Sequence, residues 1–362
     1  MKSGIAFFVI SFMLGTISHA QETCISVASN AYSHKSAVCH LFLGKNYRST
    51  WSTPVMFPVF YMSNSNFKIE RLGGSKQTNS LYLRDSCGII WVLRSVDKDV
   101  SKAYPSFMYF LPVVPYKQDL ISANYPYGAL VAAAVMKSAG IPAPQPVYYF
   151  VADDSALGEA RSVLGNTICM LEKRDPTPDG NMTIDTDSLK QILMKDTASF
   201  VMRKQLLKVR LLDMLIGDCD RHEGQYRWGT LDSGQARYYY PVPRDRDFAF
   251  FSSGGIVPLI LELVGKPRIQ FTGNSGNLKR LNRKAWSFDR VFLAGLSEED
   301  WRVTVGIAMN EMNDEVLASA VNQLPPEIRI PDGDSILSKL RSRRNNFEEN
   351  AIEYYRFLFS KP

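Results

Sequence analysis

A change of apolar periodicity near residue 174 constrains this chain more than any other feature, because it divides a β-patterned part from a helical part. Between Phe67 and Ser95 the short alternating runs Phe67–Arg71, Ser80–Arg84 and Ile89–Arg94 are separated by Gly73-Gly74-Ser75 and Asp85-Ser86-Cys87-Gly88. Turn-forming clusters between such runs predict a three-stranded meander. Tyr127–Ser138 is Ala-rich and predicts a helix stopped by Gly140 and Pro142, and Val147–Val151 and Thr167–Leu171 predict further strands. Beyond this the spacing predicts a helix over Ala198–Ile216, with Phe200, Val201, Leu207, Leu211, Met214 and Leu215 on its apolar side and Gly217 as its stop. A hairpin of Gln225–Leu231 with Ala236–Val242 follows, then a last long helix over Ser335–Phe359. The fold class is therefore α+β. An extension (21–63) precedes a β-rich lobe (64–174), and a mainly helical lobe (175–362) carries the acidic residues discussed below.

The first twenty residues predict export. Lys2, the apolar run Ile5 to Leu14 and the small residues of Ser18-His19-Ala20 have the order of a secretory signal peptide, leaving Gln21 as the mature N-terminus and a periplasmic or extracellular product. No later run approaches the roughly 20 apolar residues that span a bilayer. The formal charge of +6 is mild. Its basic clusters, Lys279/Arg280/Arg283/Lys284 and Lys339/Arg341/Arg343/Arg344, lack the interleaved aromatics of a nucleic-acid surface, so solvated helix faces or anion contacts are expected instead. Of five cysteines, Cys24 and Cys39 are expected to close a short disulfide loop, while Cys169 and Cys219 are expected to be free and buried. Outside the leader only His34, His40 and His222 remain, which argues against a His-based triad or a multi-His metal site.

The hairpin concentrates the chemistry. Its turn at Asp232-Ser233-Gly234 sets Gln225 opposite Val242, and extrapolating outward brings Asp220 and His222 towards Asp245 and Asp247. Gly217-Asp218-Cys219-Asp220-Arg221-His222 and Pro243-Arg244-Asp245-Arg246-Asp247 then meet at one mouth. Four carboxylates this close repel one another unless a cation or the interleaved arginines compensate. The plainer alternative is that Asp218, Asp220, Asp245 and Asp247 pair with Arg221, Arg244 and Arg246. His222 alone is expected to position its neighbours.

These residues resemble a known motif set. Asp220-Arg221-His222-Glu223-Gly224-Gln225 resembles the D-R-H-x-x-N catalytic loop of atypical kinases of the HipA, CotH and phosphoinositide-kinase type. Pro243-Arg244-Asp245-Arg246-Asp247-Phe248 is similar to the P-W-D-x-D segment of CotH-like kinases. The stretch from about Leu43 to Tyr355 also resembles a region of large exported Bacteroidetes proteins that accompanies metallophosphoesterase and outer-membrane barrel domains. The resemblance implies a two-lobed protein-kinase-like fold that binds ATP or another nucleotide with Mg²⁺ or Mn²⁺ between its lobes, near Leu171-Glu172-Lys173. It implies transfer of phosphate to a protein or small-molecule hydroxyl. Asp220 would orient or deprotonate that hydroxyl, with His222 beside it. Gln225 and Asp245, or Asp247 in its place, would hold the metal. Gly73, Gly74, Ser75 and Gln77 would belong to a phosphate-covering turn.

The chain also departs from that pattern. Arg94 stands where such kinases carry their phosphate-binding lysine, with Lys98 four residues on, and arginine and lysine are not equivalent there. The helix Tyr127–Ser138 carries no glutamate to pair with that cation, and Gln225 replaces Asn. A binding or structural module of the cell envelope without turnover is the alternative expectation. A metal-dependent hydrolase is a third, disfavoured by the scarcity of histidine.

Overall fold

The computed structural model describes residues 21–33, 35–74, 78–100, 113–263, 265 and 268–359. The expected signal peptide, Ser75 and Gln77 lie outside them. Seven strands form one sheet in the order β1-β2-β6-β7-β5-β4-β3: β1 (Thr23–Ser26), β2 (Val55–Phe60), β3 (Lys68–Gly73), β4 (Ser80–Arg84), β5 (Ile90–Ser95), β6 (Val147–Val151) and β7 (Thr167–Lys173). The meander is β3-β4-β5, antiparallel throughout. Asp85 makes the tight β4–β5 turn by accepting from the N–H groups of Cys87 and Ile89, both at 2.9 Å. Residues 21–63, expected to be an extension, supply β1 and β2 to this sheet.

Strand alternation gives the sheet two faces. Leu81, Leu83, Leu93, Cys169 and Leu171 pack on one side with Leu157, Ala160 and Leu164. Ile168, Met170 and Tyr148 on the other join the large core that continues into the helical part. The helix Gly128–Ser138 is buried in that core through Val131, Ala132, Val135 and Met136. It ends at Gly140 (φ 68°), whose N–H reaches the Lys137 carbonyl while that of Ile141 reaches Met136.

A second sheet, β8-β10-β11-β9, belongs to the C-terminal part: β8 (Ile184–Asp185), β9 (Ser199–Val201), β10 (Tyr226–Ser233) and β11 (Ala236–Pro243). Three expectations are corrected here. The helix expected over Ala198–Ile216 begins only at Arg203. Ser199–Val201 pairs parallel with β11 instead, because Asp196 fixes a turn through the Ala198 N–H and Ser199 hydroxyl and so delivers Phe200 and Val201 as an extended edge. The hairpin sets Arg227, not Gln225, opposite Val242, since the loop is the two-residue turn Gly234-Gln235 with Gly234 at φ 61°. The last helix is two helices, Pro326–Asn345 and Phe347–Phe359, and Pro331 sits inside the first of them. Cys24 and Cys39 are both free: one lies on β1 and the other in the short helix Ala37–Leu43, which Ser36 caps separately. Cys169 is free and buried, as expected, and Cys219 is free and half-buried.

The helix Arg203–Leu215 places the acidic loop. Its C-terminus closes as the Gly217 N–H meets the Met214 carbonyl and the Asp218 N–H meets that of Asp213. Gly217 is at φ 69°, and a Cβ there would come within 2.9 Å of Phe271, so a side chain is excluded twice over. Buried Arg343 donates to the Met214 and Leu215 carbonyls at 2.6 and 2.7 Å, satisfying acceptors that a helix end leaves open. The basic cluster around Arg343 thus splits between carbonyl capping and ion pairs of Arg341 and Arg344 with Asp314.

Candidate active site where the acidic loops meet the first sheet

Glu223–Gln225 forms a short 3₁₀ turn capped by His222, whose Nδ1 accepts the Gly224 N–H at 3.1 Å. His222 is exposed, and this cap is its structural role. The Arg244 N–H meets the Gln225 carbonyl at 2.9 Å, and Arg221 donates to the carbonyls of Arg244 and Asp245 at 2.7 and 3.2 Å. The two loops therefore meet as the hairpin predicted. Asp245 adopts φ 55°, which aspartate tolerates, whereas buried Phe250 at φ 63° takes a conformation that bulky residues seldom adopt, so the backbone is strained at Phe250.

The arginines of these loops are not the partners of all four carboxylates. Asp245 accepts from Arg94 of β5 at 2.8 Å and from the Gln225 amide at 3.2 Å. Asp247 pairs with Lys98, Glu172 of β7 pairs with Arg94, and Asp220 pairs with Lys284. Only Asp218 keeps a loop arginine, Arg221 at 3.6 Å. The alternative of Asp–Arg pairing within the loops thus holds for one carboxylate of the four. Glu172 supplies the countercharge that the helix Gly128–Ser138 lacks. It can do so because Arg94 and Glu172 lie on the same face of adjacent strands, Arg94 being opposite Met170.

Electrostatics separates the two candidate metal ligands. Burial raises the Asp245 carboxyl, but Arg94, Lys98 and the Gln225 hydrogen bond outweigh it and hold it well below the usual carboxylate range. Burial and the neighbouring Asp245 raise Asp247 against the pull of Lys98. Lys98 is itself held above its ordinary value, since Asp247 and Asp245 overcome the cost of its burial, and its ammonium lies 4.6 Å from the Phe248 ring centre. A cavity of about 480 Å³ opens beside it, lined also by Ser95, Asp97, Gln118 and Thr167. Gly73 ends β3 with the Tyr82 ring where its Cβ would stand, and Gly74 (φ 126°) abuts the Thr78 carbonyl, so packing and turn geometry account for both glycines.

Sequence reasoning missed the group that holds the site up. Asp213 is fully buried, with Arg210, Arg221 and Arg246 at 3.3, 3.2 and 3.0 Å and the Tyr226 hydroxyl at 2.8 Å. Arg210 also reaches Asp289 at 2.8 Å. Position 213 falls on the apolar stretch of its helix, and a charged residue within such a stretch was the available signal. Lys284 was visible only as one residue of a basic cluster.

Asp218 carries a pH prediction. Its Oδ1 accepts the Asp220 N–H at 3.1 Å, while buried Oδ2 has no hydrogen-bond partner. Burial pushes the carboxyl up to about 7, with Arg221 opposing and Asp213 adding to the rise. The folded chain therefore retains a proton that an unfolded carboxyl releases near pH ~3.9. This contribution to stability is full below about pH 4 and is lost as pH rises through about 7. Urea unfolding across that window should show a downward slope that Asp218→Asn flattens. Parallel slopes would remove Asp218 as its source.

No family model matches this chain, and no curated protein does. Solved structures do. It is similar to the Helicobacter pylori proinflammatory kinase CtkA, at 11% identity over 82% of this chain and 98% of that one, with a TM-score of 0.43. It is also similar to the Rio2 kinase from Chaetomium thermophilum. The ADP/Mg²⁺-phosphoaspartate complex gives 12% identity, 77% and 72% coverage and a TM-score of 0.34, and a second Rio2 structure gives 12%, 76% and 72%, and 0.34. The chain has the expected α+β organisation, a β-rich N-terminal lobe followed by a mainly helical one. Among the described residues no helix is long and apolar enough to cross a membrane.

Proposed function

We propose that this chain is an exported, atypical kinase-like phosphotransferase that binds a nucleotide and a divalent cation between its sheet and its acidic loops. The observation that carries the reading is the double engagement of Asp245, by Arg94 from the N-terminal sheet and by Gln225 from the D-R-H-like loop. Phosphate oxygens compete for Arg94 and Lys98, and the carboxylates these cations release become free to ligate metal. Asp245, Asp247 and the Gln225 amide are hard oxygen donors of the kind Mg²⁺ and Mn²⁺ prefer, and they would hold the ion. The ion would supply positive charge to offset the negative charge of the phosphates. Asp220 would accept the proton of an incoming hydroxyl once Lys284 yields it.

A second reading has its own support. Every candidate cation and carboxylate of the site is paired within the chain, and no group of three His, Cys, Asp or Glu side chains among the described residues is spaced to hold a metal. That suits a binding module of the envelope without turnover. Thermal melting with and without Mg²⁺ or Mn²⁺ and ATP tests nucleotide binding. A saturable rise is expected for the wild type, and its absence with every nucleotide and metal tried would end the phosphotransferase reading. Export rests on residues 1–20 and predicts a product whose mass begins at Gln21. Retention of Met1 in the envelope fraction would refute it.

A further inference from the structure

Beside the paired carboxylates lies a group of arginines with too little countercharge. Arg174 follows β7 and reaches Asp175 only at 3.8 Å. Arg227 on β10 donates to Thr183 through Nε at 3.1 Å and Nη2 at 2.6 Å, and its carboxylate, Asp185, is again 3.8 Å away. Arg244, directly after β11, has no carboxylate within ion-pair distance among the described residues. Its Nε is buried without a hydrogen-bond partner, as are those of Arg174 and Arg94. Leaving a buried donor open is costly, and Arg174 and Arg244 each leave an Nε open that a ligand oxygen could accept from.

These guanidiniums feel one another. Burial and Arg174 lower the pKa of Arg227, and burial, Arg227 and Arg94 lower that of Arg244. Asp175 and Asp185 oppose the shift at Arg227, and Glu172 and Asp245 oppose it at Arg244, without cancelling it, so the fold holds like charges together with a repulsion that an anion relieves. The planar guanidinium fork matches the oxygens of phosphate in particular. Arg174 and Arg227 also keep part of their side chains open to solvent, at 28% and 15%, so a ligand can reach them.

We propose that Arg174, Arg227 and Arg244 form a subsite for a phosphate dianion at the mouth where Asp245 stands. The subsite goes beyond the phosphotransferase reading, because it requires neither metal nor turnover. It predicts that the ligand of this cleft carries a phosphate besides those held near Asp245, either on the nucleotide or on the acceptor.

Melting of the whole chain in sodium phosphate, against sodium chloride at matched ionic strength, tests it. Phosphate should stabilise the wild type saturably, and Arg244→Gln or Arg174→Gln should weaken that apparent affinity by roughly tenfold or more. Without ligand, Arg244→Gln should melt at or above the wild-type temperature, since it removes a repelling charge; a purely structural arginine would do the opposite. Arg341→Gln, on a different ion pair, should track the wild type. Asp245→Asn should keep the phosphate response even where Mg²⁺–ATP binding is lost, which separates this subsite from the metal site. An Arg244-dependent gain for a nucleoside diphosphate bearing an extra ribose phosphate assigns the anion to the nucleotide. A gain for inorganic phosphate alone assigns it to the acceptor. The proposal fails if phosphate acts no differently from chloride, or if the wild type and Arg244→Gln respond alike.

Discussion

Asp213→Ala is expected to cost about 3–5 kcal/mol of folding stability, the range for removing one partner of a buried ion pair. The carboxylate is fully buried and faces three guanidiniums, Arg210, Arg221 and Arg246, of which Arg210 has a second carboxylate in Asp289 and Arg221 a more distant one in Asp218. Its removal leaves Arg246 with the Pro243 carbonyl alone and Arg221 with Asp218 at 3.6 Å. Since domains are stable by only about 5–15 kcal/mol, a loss of this size is a large part of the total. Denaturant midpoints would measure it, with Arg237→Ala as the comparison, because the Arg237–Asp232 pair is solvent-exposed and such pairs add little. Equal midpoints for the two variants would show that the buried cluster is not what supports the acidic loop.

Asp245→Asn and Asp220→Asn should fail in different ways. The first removes the carboxylate shared by Arg94 and Gln225, so stabilisation by Mg²⁺–nucleotide should shrink. At ligand one hundred times above its dissociation constant the wild type gains about 2.7 kcal/mol, which a melting curve resolves. The second variant leaves Arg94, Lys98, Asp245 and Asp247 untouched. Binding should survive it, while any phosphoryl transfer falls by roughly the 10²–10⁴-fold typical of general-base loss. If these carboxylates serve only as ion-pair partners, both variants lose thermal stability alike and neither responds to nucleotide.

Local chemistry determined the elements whose signals are local. The Asp85 turn and the Leu81/Leu83 alternation were enough for the meander, and Gly140 and Gly217 were enough for two helix ends, because turn residues and positive-φ glycines act within a few residues. The meeting of the two loops, Arg221 and Gln225 against Arg244 and Asp245, was legible for the same reason. A two-residue hairpin geometrically ties whatever precedes one strand to whatever follows the other, and slipping the register by two residues kept each side chain on its expected face. Partner choice was not legible. Asp245 and Asp247 sit among arginines in sequence but take Arg94 and Lys98, some 150 residues earlier, and Asp220 takes Lys284. Two of the loop arginines, Arg221 and Arg246, were drawn inward by Asp213, whose charge could be fully buried only where several guanidiniums converge from separate elements. Sequence spacing sets what a residue can reach along its own strand or helix. Which charge finally neutralises which is set by burial and by the packing of elements far apart in the chain, and in this protein that was decided by the tertiary structure alone.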